Sequence, residues 1–192
     1  MNIETLTSNN GKIIKGPKVI IPKVLNDSRG WFLETWNQLK FNQVLDQKII
    51  FTQDNHSFSN FGVLRGLHYQ GVKSPQAKLL RCVSGSIYDV IVDLRKSSST
   101  FGEWASIILD SKNKYMVWIP IGFAHGFLSL KENTEVIYKT TGIWNKNEER
   151  IIKWNDKNLN INWPLKEFNI PKITISSKDE LAPPFEKVEI FN

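Results

Sequence analysis

The chain has 192 residues, 41% hydrophobic and 23% charged, which is typical of a globular protein with a substantial core. Its one cysteine, Cys82, excludes intramolecular disulfides and cysteine-rich zinc sites, and its apolar neighbours predict a small buried residue. The net charge of +6 comes from scattered Lys and Arg residues, so a nucleic acid partner is not expected. Since no segment has the length of a membrane span and residues 1–12 lack the apolar core of a secretion signal, we expect a cytoplasmic protein without a membrane partner.

Short segments of alternating polar and apolar residues, separated by Gly, Pro, Ser and Asn, predict many strands. In chain order the predicted strands are Lys18–Ile21, Trp31–Trp36, Ile49–Asn55, Val63–Gln70, Lys78–Val83, Ile87–Leu94, Trp104–Leu109, Met116–Ile119, Gly126–Leu130 and Glu135–Thr141. One helix is predicted near Asn37–Leu45. This pattern predicts an all-β barrel or sandwich with a few short helices. With no linker in the sequence, we expect a single domain, 1–192, whose more polar part, 145–192, packs irregularly on the barrel.

The segment Pro120–His125 reads Pro-x-Gly-x-x-His at the start of a strand and resembles the second signature of the cupin barrel. The first cupin signature, His-x-His with a following Glu and Gly, is present upstream in altered form. His68-Tyr69-Gln70 replaces His-x-His, Lys78 stands near the Glu position, and Gly85 closes the motif. An ammonium group repels a divalent cation, so the substitutions predict a barrel without a metal ion. A metal-dependent cupin oxygenase or isomerase is therefore the least favoured function.

Four polar residues, Arg65, His68, Lys78 and His125, are predicted to share one pocket that acts on an anionic small molecule. Arginine suits phosphate oxygens, histidine suits a general base near neutral pH, and lysine suits a developing oxyanion. Tyr138 is a candidate acid on the opposite side, and the set describes proton abstraction beside a carbonyl. Arg65 and His68 lie three positions apart, so they share a pocket only if Gly66 lies in a β-bulge.

Seven segments in the same order resemble the dTDP-4-dehydrorhamnose 3,5-epimerase family. They are Arg29–Glu34, Phe51–Ser57, Gly62–Gln70, Lys78–Arg81, Trp118–Phe127, Tyr138–Thr141 and Ser177–Asp179. The resemblance extends over nearly the whole chain and implies a cupin-type barrel. It also implies a cofactor-independent isomerase that converts a dTDP-linked 4-keto-6-deoxyglucose to the 4-keto form of L-rhamnose.

The resemblance also implies roles for individual residues. His68 would remove the C3 and C5 protons of the sugar, and Asp179 would pair with His68, with Asp156 as a competing partner. Lys78 would stabilise the enolate, and Tyr138 would return a proton from the opposite face. Substrate-binding roles are implied for Arg29, Glu34, Gln53, Asn55, Arg65, His125, Glu149 and Lys178. In this family the Arg29–Glu34 segment reaches the site of a partner subunit, which implies a homodimer.

Two alternatives remain open at this point. In the first, the chain epimerises only one carbon or acts on another nucleotide sugar. In the second, it is a sugar-nucleotide-binding module without catalytic activity. Less specific interpretations apply to several further polar residues. His56 is expected to be structural, Asp93 to solvate the end of a strand, and residues 146–150 to form a solvated face.

Overall fold

A computed structural model describes residues 2–192. Its strands are β1 (Asn2–Thr7), β2 (Ile13–Ile21), β3 (Val24–Asp27), β4 (Gly30–Leu33), β5 (Gln53–Ser59), β6 (Leu64–Gln70), β7 (Lys78–Ser84), β8 (Ser86–Asp93), β9 (Trp104–Asp110), β10 (Met116–Ile119), β11 (Phe123–Ser129), β12 (Thr134–Thr140) and β13 (Glu149–Ile151). The helices are α1 (Gln38–Leu45) and α2 (Ser177–Glu180), with 3-10 turns at Lys146–Glu148 and Phe185–Lys187.

Two antiparallel sheets face each other and form the barrel. The larger sheet has six strands in the order β1-β2-β10-β7-β12-β5, and the smaller has five in the order β13-β6-β11-β8-β9. The hairpin β3-β4 forms a separate two-stranded sheet. Neighbouring strands are antiparallel throughout, so the predicted all-β, cupin-type barrel with short peripheral helices is confirmed.

Apolar side chains fill three regions around these sheets. The barrel interior packs residues of both sheets, including Leu80, Ile91 and Phe127. The outer face of the five-stranded sheet is covered by the C-terminal segment, and the outer face of the six-stranded sheet is covered by α1 and its flanks. Strand β8 is therefore buried on both faces, because one face packs inside the barrel and the other under the C-terminal segment.

The prediction for Asp93 is wrong, because this residue at the end of β8 is fully buried. Its carboxylate accepts hydrogen bonds from Arg95, Ser98 and Thr100 at 2.6–2.8 Å. Burial acts to raise the pKa of Asp93, but the Arg95 guanidinium and the two hydroxyls outweigh it and lower the pKa. The alternation of polar and apolar residues predicted a solvated Asp93, but this residue forms a buried ion pair with Arg95 that holds the following turn.

The C-terminal segment contains more regular structure than the sequence predicts. It contributes β13 to the five-stranded sheet, and Glu148, predicted on a solvated face, is buried there. Strands β1 and β3 were not predicted either, and β4 ends at Leu33 rather than Trp36. The predicted helix is present as α1, where the side chain of Asn37 accepts a hydrogen bond from the Lys40 N–H and caps the first turn. Among residues 2–192, no helix has both the length and the apolar character needed to cross a membrane.

Candidate active site

The space between the two sheets contains an inner cavity of about 230 Å³. Its lining comprises Ser57, Arg65, His68, Lys78, Leu80, His125, Phe127 and Tyr138. The four residues predicted to share a pocket therefore do so, together with Tyr138. Four cationic or imidazole side chains around a partly apolar chamber suit an anionic ligand that carries a small ring.

A β-bulge at Gly66 explains how Arg65 and His68 reach the same cavity. Arg65 pairs with Phe127 and His68 pairs with His125, so three residue steps on β6 lie opposite two on β11. The extra residue restores the side-chain alternation, as predicted. Gly66 has a φ of +124°, and a Cβ there would lie 2.5 Å from the Cα of Gly126, so only glycine fits this position.

His68 forms a hydrogen-bonded pair with Asp179 of α2, whose oxygen lies 2.6 Å from Nε2. Burial acts to raise the pKa of Asp179, but the hydrogen bond and charge of His68 outweigh it, so the pKa is lowered and the carboxylate stays ionised. An ionised carboxylate accepts, so Nε2 carries the proton and Nδ1 keeps its lone pair. Asp156, the competing partner, instead accepts the backbone N–H groups of Asn158, Leu159 and Phe185 in the C-terminal segment.

Lys78 lies on β7 beside His68, and its ammonium is 3.4 Å from the His68 carbonyl oxygen. Burial lowers the pKa of Lys78 from 10.5 to about 8, although the charges of Asp89 and Glu149 oppose the shift. The side chain is therefore a poorly solvated cation near neutral pH. Such a group gains most from an oxygen that becomes negative next to it.

The two sheets supply different groups to the cavity. The six-stranded sheet contributes Lys78 from β7 and Tyr138 from β12, and the five-stranded sheet contributes His68 from β6 and His125 from β11. Burial raises the pKa of Tyr138, so its hydroxyl is protonated at neutral pH. The cavity thus holds a base on one wall and a proton donor on the facing wall. A carbon between them can lose a proton to one side and regain it from the other.

His125 is itself paired with a buried carboxylate. Its Nε2 lies 2.7 Å from Asp89, and both side chains are almost fully buried. The negative charge of Asp89 also balances the positive charge of Lys78. The arrangement orients the His125 ring toward the cavity, consistent with the predicted binding role.

A wider outer cavity of about 350 Å³ adjoins the inner one and shares His68, Lys78 and Tyr138 with it. Gln53 and Asn55 face it from β5 and are hydrogen-bonded to each other at 2.8 Å, as their shared parity predicts. Gln53 also accepts the backbone N–H of Trp144 at 2.9 Å. Trp144, half exposed, lines the same cavity. This chamber has room and an aromatic face for a base or a nucleoside.

Comparison with known proteins assigns this arrangement to a family. The pattern that defines the dTDP-4-dehydrorhamnose 3,5-epimerase family matches residues 12–187. The chain belongs to that family. It is 52% identical over 151 residues to the dTDP-4-dehydrorhamnose 3,5-epimerase of Shigella flexneri. The aligned residues cover 78% of this chain and 83% of the relative.

Two solved epimerase structures are similar over most of the chain. The Legionella pneumophila dTDP-6-deoxy-D-glucose-3,5-epimerase in complex with dTDP-4-keto-L-rhamnose has a TM-score of 0.88 at 37% identity, covering 98% of this chain and 95% of that one. A 3'-monoepimerase from Streptomyces bikiniensis, in complex with dTDP-quinovose, has a TM-score of 0.82 at 31% identity, covering 89% and 84%. The same barrel thus occurs in a 3,5-epimerase, whose name refers to two sugar carbons, and in a 3'-monoepimerase, whose name refers to one.

Several predicted binding residues of this epimerase-family chain lie at the rim or outside the cavities. Lys178 and Glu149 form an ion pair between α2 and β13, and Glu149 lines the outer cavity. Arg29 and Glu34 line neither cavity. Arg29 is highly exposed and pairs with Asp27 in the β3-β4 hairpin. Within a single chain, therefore, these two residues are not brought together with the rest of the site.

Some residues of the epimerase-family site were missed by the sequence analysis. Ser57 shares strand parity with Gln53 and Asn55, so alternation along β5 would have found it. Trp144 lies in a loop, where no periodicity marks it. Gln70, which replaces a histidine of the cupin signature, accepts the Asn145 N–H at 3.0 Å and so fixes the loop of Trp144. His56, predicted to be structural, pairs with Glu135 and lies outside both cavities.

Potential metal ligands do not cluster in the part of the chain that the structure describes. Within residues 2–192, no group of three or more His, Cys, Asp or Glu side chains is placed to hold a metal ion. Lys78 lies with His68 and His125 in the inner cavity, where a bound cation would meet an ammonium group. Independence from metal remains a prediction for this family member.

Proposed function

We propose that the chain catalyses the 3,5-epimerisation of dTDP-4-dehydro-6-deoxy-D-glucose to dTDP-4-dehydro-L-rhamnose, on the route to dTDP-L-rhamnose. The observation that carries the proposal is the placement of His68 and Tyr138 on facing sheets, with Lys78 in the same cavity. Inversion of a carbon requires that the proton leave on one side and return on the other. Membership of the epimerase family supports the same reaction.

The first inversion takes place beside the 4-keto group. Nδ1 of His68 takes the proton from C3, and the C–H electron pair becomes a C3–C4 double bond. Lys78 stabilises the negative charge that moves to the C4 oxygen. Tyr138 donates its proton to C3 from the opposite face, and the double-bond electrons return to C3. Asp179 holds the His68 tautomer and stabilises the imidazolium until the proton passes to solvent.

The same groups act on C5, because C3 and C5 flank the same carbonyl carbon. Exchange of protons with solvent resets His68 and Tyr138 between the two events. No redox change occurs and no atom other than hydrogen is exchanged. The chemistry therefore needs no oxidant or cofactor, in keeping with the prediction made from the sequence.

The nucleotide is assigned to the outer cavity. Trp144 offers a ring on which a pyrimidine base stacks, and Gln53 and Asn55 offer amide groups at its edge. Arg65 lines the inner cavity and is bonded to Ser59 and to the Phe58 carbonyl, so its guanidinium is held in place for the diphosphate. Of the remaining predicted groups, His125 lines the sugar chamber, Glu149 lines the outer cavity, and Lys178 is paired with Glu149.

The direct test is proton NMR of dTDP-4-keto-6-deoxyglucose with the protein in deuterated water. The wild-type protein should replace the C3 and C5 hydrogens with deuterium and yield the inverted sugar. His68→Asn should abolish exchange at both carbons, whereas His56→Asn, a change outside both cavities, should leave it intact. Full exchange by His68→Asn would refute His68 as the base.

A second candidate is an epimerase of one carbon, since a 3'-monoepimerase shares the fold at a TM-score of 0.82. The same NMR experiment separates the two. Inversion confined to C3, with an unchanged C5 configuration after prolonged incubation, would support the monoepimerase. Absence of exchange and turnover, with retained binding of dTDP, would instead indicate a binding module without catalytic activity.

A homodimer forms part of the proposal. The β3-β4 hairpin exposes Leu25, Trp31 and Phe32, each more than half accessible, and it carries Arg29 outside the cavities of its own chain. If the hairpin reaches a partner's site, mixing inactive Arg29→Ala and His68→Asn proteins should restore activity. In the mixed dimer, the site with an intact His68 receives an intact hairpin. Failure of complementation in demonstrated mixed dimers would refute the shared site.

A cytoplasmic location and the absence of nucleic acid and membrane partners complete the proposal. The supporting observations are the scattered positive charges and the nucleotide-sized cavity. Fractionation of cells that express the chain tests the location, and retention with the membrane fraction would contradict it.

A further inference from the structure

Ser57 is an unpaired hydroxyl inside the proposed site. Among residues 2–192, only three fully buried side-chain oxygen or nitrogen atoms have no hydrogen-bond partner, and the Oγ of Ser57 is one of them. The other two are oxygens of Asp89 and Glu148: the second oxygen of Asp89 pairs with His125, and the Glu148 oxygen itself lies 3.6 Å from the Arg150 guanidinium. The Ser57 hydroxyl is thus the one group of the three with no partner at all.

The position of Ser57 points this hydroxyl at the sugar chamber. It lies on β5 two residues beyond Asn55, so both side chains project to the same face of the six-stranded sheet. It lines the inner cavity on the wall of Tyr138 and faces His68 on the other sheet. The next inward residue, Ser59, is already bonded to Arg65. A buried hydroxyl without a protein partner is normally satisfied by what fills the cavity.

We propose that Ser57 binds the C2 hydroxyl of the sugar ring and is a substrate-binding residue to which the family resemblance assigned no role. The assignment rests on the proposed epimerase function. The ring that fits the inner cavity carries two free hydroxyls, on C2 and C3. The C3 hydroxyl moves when C3 is inverted, whereas C2 keeps its configuration throughout. A side chain on a rigid strand holds only the fixed group through both inversions.

The test combines a variant with an altered substrate. Ser57→Ala should lower kcat/KM for dTDP-4-keto-6-deoxyglucose by about tenfold, the typical value of one neutral hydrogen bond. For the wild-type protein, kcat/KM should be lower by a similar factor on the analogue that lacks the C2 hydroxyl of the hexose. On that analogue Ser57→Ala and the wild-type protein should have the same kcat/KM, because the substrate partner of the Ser57 hydroxyl is already missing. An equal additional loss on the analogue would overturn the assignment.

Stability measurements separate binding from a structural role. Because the Ser57 Oγ has no protein partner, Ser57→Ala should keep or raise Tm. The matched control is Ser8→Ala, which removes a buried hydroxyl that donates to Glu103 at 2.6 Å. It should lower Tm and leave kcat/KM unchanged. Lower Tm together with unchanged kinetics for Ser57→Ala would show that its role is structural and overturn the proposal.

The same experiment distinguishes this inference from the proposed function. If the wild-type protein exchanges no hydrogen of the substrate, the proposed function fails and the Ser57 inference fails with it. If the wild type is active and Ser57→Ala equals it on both substrates, only the inference fails. Ser57→Cys, which has nearly the same shape but is a weak donor, should resemble Ser57→Ala.

Discussion

Replacing Lys78 with methionine should make the protein more stable and nearly inactive. Burial lowers the pKa of Lys78 from 10.5 to about 8, so the fold disfavours the cation that the reaction needs. At about 1.4 kcal/mol per pH unit, the interval from about 8 to 10.5 corresponds to a penalty of ~3.5 kcal/mol. The cavity leaves the side chain partly exposed, and solvent screening reduces the expected gain to about 1–2 kcal/mol. Methionine keeps most of the volume and removes the charge.

The sign of the pH dependence follows from the direction of this shift. The unfolded chain binds the Lys78 proton more tightly than the folded one, so stability rises with pH between about 8 and 10.5. The penalty is fully present at pH 7 and mostly lost at pH 10. Lys78→Met should therefore exceed the wild type in free energy of unfolding at pH 7 and approach it at pH 10. Its turnover should fall by about 100-fold or more, since an oxyanion-stabilising group is gone.

Urea denaturation at pH 7 and pH 10, at one fixed protein concentration, measures the difference. The control is Lys139→Met on β12, where the lysine pairs with Asp54 at 2.8 Å on the outer face of the sheet. This exposed pair should contribute less than about 1 kcal/mol, and turnover should not change. A Lys78→Met protein that is less stable than the wild type at pH 7, or a gap of equal size at both pH values, would refute the reasoning.

Three further predictions concern the reaction groups. Asp179→Asn keeps the shape of the pair but removes its charge, so solvent exchange at C3, followed by NMR, should slow by about 10²- to 10⁴-fold; a wild-type rate would remove Asp179 from the mechanism. Tyr138→Phe should retain much of the exchange yet lose inversion, and equal loss of both would contradict its role as the donor. Dialysis against EDTA should leave kcat unchanged, and a loss restored by a divalent metal would disprove the predicted metal independence.

Local patterns predicted much of the barrel because its strands alternate and its turns carry Gly, Pro and Asn. Strand β8 shows the limit of that signal, since both of its faces are buried. From the sequence pattern alone Asp93 is expected to be exposed, although it is fully buried. Strand β13 is three residues long and exists only because β6 lies beside it. Such an element depends on tertiary contacts that no local pattern records.

The candidate site was predictable where residue chemistry and strand parity agreed. The bulge at Gly66 followed from the conflict between the spacing of two residues and their shared pocket, and the structure contains it. The pairing of His68 with Asp179 came from family resemblance, because 111 positions separate the two residues and no spacing rule connects them. The loop of Trp144 escaped prediction since its position depends on side chains of β5 and β6.

The pairing of His68 with Asp179 also means that the candidate active site is completed only after the barrel strands have formed. The base belongs to a barrel strand, but its carboxylate arrives with a four-residue helix near the C-terminal end of the described chain. During synthesis, the barrel strands emerge long before that helix. Detachment of α2 alone would separate the pair and leave both sheets intact. Heating or limited proteolysis should therefore abolish enzymatic activity before the barrel itself unfolds.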